Sequence, residues 1–518
     1  MSYNQLGMKT AFVNGQLYTP EAIREKMPPA EAVLVEAGKV VAVGTSADLR
    51  RALSSEDTTV DLQGNRLYPG FHDAHTHLGS YGTRLRQLDL HGLPNLKAVL
   101  ERTAAYARTL KPGEWLVGRG WDESRWPENR YITRADLDPI TPNNPALLLR
   151  VDGHMGVFNS LGLRTLGQST SDLSGLSDVS DGILRESALD SAREKIQPTV
   201  AQRKQDILAA IQKAHELGVT AIGEIATRED LHAFLDLWRA GELKLRVNLI
   251  PIWEIWDDVE SAGLKAGAGD DILCVHGIKF FADGSIGART ALLSEDYADA
   301  PGNRGQPYLD LPMIEEAIRT VVAAGFQPVT HAIGDAAIER VLSIYERLSP
   351  LPTLGSRVSG LRPRIEHLEM PTLAHLDRLK ALGGIASMQP NFIGEWGLPG
   401  AMYEQRLGLA RREAMNPLWE IQHRGLPLCF GSDMMPFSPL YGIRCALMAP
   451  ARKQQLKERD AVLAYTEGAA YAAFRENLWG KTAPGFCADF AALSDSPSEM
   501  ANVLMTVFNG EIVFRRGL

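Results

Sequence analysis

Two histidines stand two residues apart in the phrase GFHDAHTHL at residues 70–78. His75 and His77 come at the end of a predicted strand, where side chains at i and i+2 leave the same face about 6–7 Å apart. This spacing allows both imidazoles to bind one metal ion, although two core histidines are the alternative. His72 precedes His75 by three residues, so it points to the opposite face and is interpreted as structural.

Three further candidate ligands follow later strands. His331 ends the run FQPVTH, His367 ends PRIEH, and Asp433 follows LCFGS. His331 and His367 are separated by 36 residues, which is one strand–helix unit, and His367 and Asp433 by 66 residues, which is two. Each alone could be a capping or core residue, and Asp433 could be a helix N-cap. Their matching positions in successive units instead predict ligands on the fifth, sixth and eighth strands.

Lys279 lies in the phrase HGIKFFADGS, within an apolar, strand-like run. A solvated side chain is the ordinary interpretation of a lone lysine, but a charged ammonium is unfavourable in apolar surroundings. Carboxylation by CO₂ would remove this problem, because it converts the amine into an anion with two oxygens that can bridge two cations.

Eight candidate strands could position these residues, near 71–77, 219–225, 245–253, 274–281, 326–331, 363–367, 384–389 and 427–432. Helices are predicted between several of them, at 206–217, 312–324 and 372–382, each followed by glycine. Strand–helix–strand succession predicts parallel pairing and right-handed crossovers. An α/β fold follows, and the pattern fits either a (β/α)₈ TIM-like barrel or a doubly wound sheet.

Both ends of the chain contain shorter strand patterns, at 9–17, 32–44, 488–494 and 505–514. Asn14-Gly15, Gly38 and Asn509-Gly510 interrupt them with residues typical of hairpin turns. Two such sets at opposite ends of the chain predict one small β-sandwich domain, with two unrelated edge hairpins as the alternative.

The predicted domains are therefore a small β-domain from residues 1–65 and 482–518, and a barrel over residues 66–481. A segment at about 112–187 separates the first two strands of the barrel and is rich in Trp, Pro and Gly, with strand-like pieces at 115–119 and 146–151. We expect a lid-like insertion over the barrel mouth, because long strand-to-helix loops carry substrate recognition in such barrels.

Candidate substrate contacts lie in this insertion. His154, in RVDGHMGVFN, is placed to donate or accept a hydrogen bond to a substrate carbonyl or leaving group, although it could also fix its own loop. Trp121 is equally well interpreted as part of the insertion's core, together with Trp126. Arg185 is the third candidate, and an ordinary helix-face pair with Glu186 is its alternative interpretation.

Composition excludes several classes of function. Apolar residues make up 45% of the 518 residues and charged residues 23%, which is typical of a folded globular protein. The net charge of −9 and the lack of a basic run argue against nucleic acid, and no apolar run reaches the roughly 20 residues that span a membrane. Four cysteines without a CxxC pair indicate buried thiols, and the absence of a secretory signal pattern predicts a cytoplasmic protein.

The ordered set HTH, K, H, H, D resembles the amidohydrolase superfamily. The phrases GFHDAHTHL, GWDESRW, KFFADGSIGARTA, HAIGDAAI and RIEHLE resemble its YtcJ-like branch, which includes N-substituted formamide deformylases. The resemblance implies that His75 and His77 bind one metal, that His331 and His367 bind a second, and that carboxylated Lys279 bridges them. It also implies that Asp433 holds the first metal and moves protons.

The expected activity is hydrolysis of the C–N bond of an amide, of N-substituted formamide or N-acyl amine type, by metal-activated hydroxide. The histidine-rich ligand set favours zinc, with two Zn²⁺ per chain. A deaminase or cyclic-amide hydrolase is the alternative, and a non-catalytic regulatory homologue is a further one, against which the intact ligand set argues. The expected partner is a small-molecule amide, with a homodimer left open.

Overall fold

The chain folds as two units in the computed structural model. The first unit contains Met1–Gly79 and Ile207–Leu518, and the second contains Ser80–Asp206. The structure describes residues 7–151, 153–167, 179–196, 198–349 and 355–518.

The first unit contains a strand at each of the eight predicted places. We label them β1 to β8: β1 Phe71–Thr76, β2 Val219–Ala226, β3 Arg246–Pro251, β4 Gly277–Phe281, β5 Gln327–Ala332, β6 Arg364–His367, β7 Ile385–Met388 and β8 Leu428–Phe430. β1, β2 and β3 pair in parallel in one sheet, and β4 to β8 pair in parallel in a second sheet. All eight residues of β2 are buried, as expected of a parallel strand covered on both faces.

The prediction of a single strand at 274–281 is wrong in one respect, because this segment forms two strands. Leu273–Val275 pairs with β3 in the first sheet, whereas β4 pairs with β5 in the second. A single parallel bridge between Ile252 and Lys279 links the end of β3 to β4. The break at His276 and Gly277 in this mostly apolar run is too short to show that the pairing partner changes there.

The three predicted helices are confirmed as Val200–Glu216, Leu311–Ala323 and Leu373–Ala381. Thr372 caps the last of these, since its hydroxyl accepts a hydrogen bond from the His375 amide at 3.2 Å. The other helices of the first unit are Pro20–Ile23, Ser46–Arg51, Arg228–Arg239, Trp256–Ser261, Asp335–Leu348, Gly355–Gly360, Pro390–Trp396, Met402–Leu407, Leu409–Ala414, Leu418–His423, Pro439–Leu447, Glu458–Ala464 and Glu467–Ala472.

Strands from both ends of the chain form two further sheets. One has the order Lys39–Gly44, Ala32–Glu36, Lys9–Val13 and Thr58–Asp61, and the other has the order Gln16–Leu17, Arg66–Pro69, Phe490–Leu493, Val503–Phe508 and Glu511–Arg515. Phe12 and Val33 of the first sheet and Leu67, Phe490 and Met505 of the second belong to one buried apolar cluster. The two ends of the chain therefore share a core.

Two of the three predicted hairpin turns are confirmed. Gly38 joins two antiparallel strands, and Asn509 and Gly510, with φ angles of 51° and 82°, join another such pair. The hairpin predicted at Asn14-Gly15 is wrong, because the strand before it pairs in the four-stranded sheet and the strand after it in the five-stranded sheet. An Asn-Gly pair indicates a tight turn, but not the partners of the strands on either side.

The second unit has its own five-stranded sheet, in the order Ile183–Arg185, Met155–Phe158, Ala146–Arg150, Leu116–Trp121 and Leu88–Asp89. Helices Leu96–Ala107, Arg134–Leu137, Ser160–Thr165 and Glu186–Glu194 accompany it, and helix Leu78–Arg86 begins just before the unit. The segment predicted at 112–187 makes up the central part of this unit, which extends further in both directions.

Four cysteines are free and buried, as predicted: Cys274, Cys429, Cys445 and Cys487. Within the described ranges, no helix combines the length and the apolar character that crossing a membrane requires.

A buried ion pair connects β3 to the C-terminal strands. The guanidinium of Arg246 is fully buried and donates to both carboxylate oxygens of Asp489, one of them at 3.0 Å. We expect Asp489→Asn to lower the free energy of unfolding by about 3–5 kcal/mol, because it leaves the Arg246 charge buried without its counter-ion. Urea denaturation measures this loss. Asp495→Asn, at an exposed position of the same segment, is the control and should unfold like the wild type.

Candidate metal centre

His75 and His77 lie at the carboxyl end of β1. The His75 imidazole is buried and the His77 side chain is 38% exposed, with their ring centroids 5.6 Å apart. Nδ1 of His75 is 2.5 Å from Oε2 of Glu366, so Nε2 is the nitrogen left for another ligand. Burial and the charge of Lys279 lower the pKa of His75 to about 4, against the effect of Glu366, and favour the neutral imidazole that binds metals.

Asp433 follows β8 and reaches the same place. Its backbone amide donates to the His75 carbonyl at 2.9 Å, and its φ of 49° turns the chain directly after the strand. Oδ1 of Asp433 is 3.1 Å from Nε2 of His77 and 3.8 Å from Nε2 of His75. Burial raises the pKa of Asp433, but the hydrogen bond from His77 and the charges of His75 and His77 outweigh it and lower this pKa to about 2.

His367 and His331 extend the cluster on its other side. The His367 ring centroid lies 5.0 Å from that of His75 and 4.5 Å from that of His331. Nδ1 of His367 is buried without a hydrogen-bond partner among the described residues. Burial and the charges of His331 and His75 hold the pKa of His367 well below its ordinary value. His331 is additionally 3.0 Å from the Gly284 carbonyl through Nε2.

Lys279 lies on β4 with only 1% of its surface exposed. Its Nζ has no hydrogen-bond partner in the part of the chain that the structure describes, and the Phe281 ring centroid is 5.0 Å away. Burial lowers the pKa of Lys279 to about 8, although Glu366 and Asp433 act in the opposite direction. A buried amine without a partner is unfavourable, so this position calls for a further group that could pair with it.

The donor set fits a metal ion. One ligand atom each from His75, His367 and Asp433 lies within 4.8 Å of the other two. His77 contacts Asp433, and His331 contacts His367. The unpartnered atoms, Nζ of Lys279 and Nδ1 of His367, are those that a bound ion and a modified lysine would satisfy. The structure therefore brings the predicted ligands from five different strand ends into one cluster.

Glu366 was missed by the sequence analysis and holds His75 in place. Its second oxygen accepts from Nε of Arg364 at 2.8 Å, and the hydroxyl of Ser387 donates to Oε2 at 2.8 Å. Carboxylates that accept from a metal-binding imidazole fix its tautomer and orientation. The available signal was a pair of charged residues, Arg364 and Glu366, two apart in a short strand that ends at the candidate ligand His367.

Other buried carboxylates stabilise the backbone at the strand ends through hydrogen bonds. Asp73 accepts from the Ser432 amide at 2.8 Å and joins β1 to the segment before Asp433. Glu224 accepts from the amides of Leu78 and Gly79 after His77, at 2.7 and 3.1 Å. These hydrogen bonds fix the backbone on either side of the candidate ligands.

Glu366→Gln is expected to weaken divalent-metal affinity by about 10–100-fold, the usual loss when the partner of a ligating histidine is changed. The amide keeps the shape but no longer accepts strongly from His75. Competition with a chromogenic zinc chelator measures the affinity, and thermal unfolding separates it from misfolding. Glu339→Gln, half-exposed on helix Asp335–Leu348, is the matched control. Unchanged zinc affinity in Glu366→Gln would contradict the positioning role.

The candidate substrate residues belong to the second unit. Trp121 is fully buried, and its indole donates to the Leu148 carbonyl at 3.0 Å and packs against Trp126, as in the core interpretation. Arg185 is the last residue of a strand and not part of the helix face that the alternative interpretation assumed, and its guanidinium lies 5.2 Å from the Tyr131 ring centroid. The side chain of Glu186 lies outside the described residues, and His154 is exposed. The substrate roles remain predictions.

Parallel strands alternating with helices, and imidazole and carboxylate groups at their carboxyl ends, define the class of metal-dependent hydrolases. A model of the amidohydrolase family matches residues 58–514, so the chain belongs to the amidohydrolase family, as the motifs predicted.

Several known proteins are similar to this chain over most of its length. YtcJ of Bacillus subtilis, named as an amidohydrolase, is 29% identical over 98% of this chain and 100% of its own. The N-substituted formamide deformylase of Arthrobacter pascens is 24% identical over 71% of each chain. The crystal structure of a metal-dependent hydrolase from Pyrococcus furiosus has a TM-score of 0.82 at 30% identity and covers 95% of this chain and 100% of that one. These similarities fit a TIM-barrel-type fold.

Proposed function

We propose that the protein hydrolyses the C–N bond of a small amide, of N-substituted formamide or N-acyl amine type. The cluster of His75, His367 and Asp433, with ligand atoms within 4.8 Å of one another beside the unpartnered Nζ of Lys279, carries the proposal. The similarity to an N-substituted formamide deformylase supports this substrate class.

In the proposed centre, His75 and His77 would hold one divalent ion, His331 and His367 would hold a second, and a carboxylated Lys279 would be a ligand to both. Zinc fits a site with this many imidazoles. The contact of Asp433 with both His75 and His77 supports its assignment to the first ion.

A divalent ion bound there would lower the pKa of a coordinated water from near 16 toward about 7 and polarise the substrate carbonyl. Asp433 would accept the proton that the attacking water loses as the water oxygen bonds to the carbonyl carbon. The same carboxyl returns it to the departing nitrogen, because an amide anion is a poor leaving group. Glu366 keeps the His75 ring in the orientation that leaves its Nε2 toward Asp433.

We also propose that the two parallel sheets close into a (β/α)₈ barrel and that the terminal strands form a β-sandwich. The bridge from Ile252 to Lys279 supports closure on one side, and the hydrogen bond from the Asp433 amide to His75 supports it on the other. The apolar cluster shared by both terminal sheets supports the sandwich.

The metal content tests the centre directly. Wild-type protein is expected to purify with about two divalent ions per chain, and His75→Ala to lose at least one of them together with its activity. Elemental analysis measures the metal and circular dichroism the fold. His232→Ala, exposed on helix Arg228–Arg239, is the matched control. A His75→Ala protein with full metal and normal turnover would overturn the assignment.

A screen of N-formyl amines, N-acyl amines and cyclic amides tests the reaction. Release of a carboxylic acid and an amine from an open-chain amide is the expected result. Release of ammonia would identify a deaminase instead, and ring opening a cyclic-amide hydrolase. Failure of fully metal-loaded protein to hydrolyse any open-chain amide would contradict the proposal.

A further inference from the structure

The second unit contains a cavity of about 460 Å³ lined by positively charged side chains. Five arginines line it, which we call the arginine pocket: Arg84, Arg119, Arg150, Arg193 and Arg203. They come from three helices and two strands, so the fold gathers charges that are far apart in sequence. None of the described residues that line the cavity is acidic.

Arg119 occupies an unusual position in the floor of this pocket. It lies on strand Leu116–Trp121, and its register partner on the neighbouring strand is Leu149. Val117 and Leu147 form the register pair two residues earlier and line the same cavity, as Leu149 does. Because alternate residues of a strand share a face, Arg119 and Asp89, its register partner on the other neighbouring strand, are charged residues on a face where Val117, Leu147 and Leu149 are aliphatic.

The charges of the pocket are only partly balanced. Arg150 donates to both carboxylate oxygens of Glu123, at 2.9 and 3.0 Å, and Arg203 donates to the Thr83 hydroxyl at 2.9 Å. The guanidinium groups of Arg84 and Arg119, by contrast, make no hydrogen bond or ion pair with any residue that the structure describes.

The other cations of the pocket also affect the pKa of Arg119. Burial, the charge of Arg84 and the charge of Arg193 lower its pKa, and Asp89 opposes them in part. A guanidinium stays protonated in proteins, so burial and the neighbouring positive charges raise the free energy of its charged form. A bound anion would offset this repulsion.

The size and the chemistry of the lining point to one class of ligand. A volume of about 460 Å³ lies in the range of small-molecule sites. Guanidinium groups match carboxylate and phosphate oxygens through paired hydrogen bonds. Leu147 and Leu149 offer an apolar surface beside them.

We propose that the arginine pocket binds a small organic anion, with its carboxylate or phosphate group against Arg84 and Arg119 and an apolar body on the aliphatic floor. This site belongs to the second unit alone and does not depend on the proposed hydrolase activity.

Isothermal titration calorimetry on the full chain tests the proposal with phenylacetate, phenyl phosphate, inorganic phosphate and neutral benzyl alcohol. At least one of the aromatic anions should bind, and more tightly than benzyl alcohol. The tighter of phenylacetate and phenyl phosphate identifies the preferred head group. Absence of binding by both aromatic anions, or equal binding of benzyl alcohol, would overturn the proposal.

Substitutions of single arginines show whether the anion binds in the arginine pocket. Arg119→Gln and, separately, Arg84→Gln should lower the affinity for the anion by at least about tenfold. This is the loss expected for a hydrogen bond to a charged group. Arg108→Gln, exposed in the same unit and outside the lining, is the matched control and should bind like the wild type. Arg84 is itself exposed, so its variant is informative even if Arg119→Gln folds poorly.

The metal centre could also attract an anion, and the His75→Ala variant separates the two sites. Binding that persists in His75→Ala and falls in Arg84→Gln supports the arginine pocket. Binding that disappears in His75→Ala and is unchanged in both arginine variants would overturn it.

Discussion

The Asp433→Asn variant is expected to keep most of its metal and to lose at least about 10²-fold in kcat, the low end for removal of a general acid–base. Asparagine has the same shape and one ligand oxygen, so the position after β8 remains filled. It cannot accept a proton from water or return one to the departing nitrogen. Asp433 is the carboxylate within reach of both His75 and His77, at 3.8 and 3.1 Å, so no other ligand of the cluster replaces it.

Turnover of the best substrate from the amide screen and elemental analysis of the same preparation measure the two effects together. Asp310→Asn, at an exposed position before helix Leu311–Ala323, controls for the loss of one negative charge. A near-normal kcat in Asp433→Asn would show that another group moves the proton. Loss of metal together with activity would show that Asp433 acts mainly as a ligand.

The sequence was sufficient to find the cluster because each candidate ligand follows a strand in chain order. Apolar runs between helices that end at glycine predicted all eight strand positions. Parallel strands place their carboxyl ends at one edge of the sheet. His75, His367 and Asp433, which are 66 or more residues apart, could then be expected to meet. Local pattern was enough, since the fold repeats the same unit.

Contacts between side chains of different parallel strands were beyond that kind of reasoning. Glu366 accepts from a histidine 291 positions away, and Arg364 reaches the Ala74 carbonyl at 3.1 Å across 290 positions. A pattern of polar and apolar residues reports which face a side chain occupies, but not which distant residue meets it. The same limit explains the split strand at His276, where the chain leaves one sheet for the other within a mostly apolar run.

The insertion shows a different limit. Its composition predicted a separate segment, and its tryptophans were open to two interpretations. The structure places Trp121 and Trp126 among the buried side chains of the second unit's core. Arg84 and Arg119 carry no local signal, because single arginines are ordinary surface residues. They become notable only where the fold gathers them around one cavity.

Lys279→Ala is expected to reduce kcat by at least about 10³-fold, because loss of the proposed bridge would remove several kcal/mol of metal-supplied stabilisation. The buried Nζ has no partner among the described residues, so truncation breaks no hydrogen bond and the fold should survive. Short carboxylic acids such as acetate or propionate, added with bicarbonate, should restore part of the activity by supplying the missing oxygens. Lys265→Ala, at an exposed position, is the control.

A spectroscopic measurement gives this prediction a readout that does not depend on turnover. Protein prepared with ¹³C-labelled bicarbonate should show a ¹³C carbamate resonance in the wild type and in Lys265→Ala, and none in Lys279→Ala. A wild-type spectrum without that resonance, from protein with its full metal content, would refute the bridging carbamate. The hydrolase assignment would survive that result, since His75, His367 and Asp433 can hold an ion without the lysine.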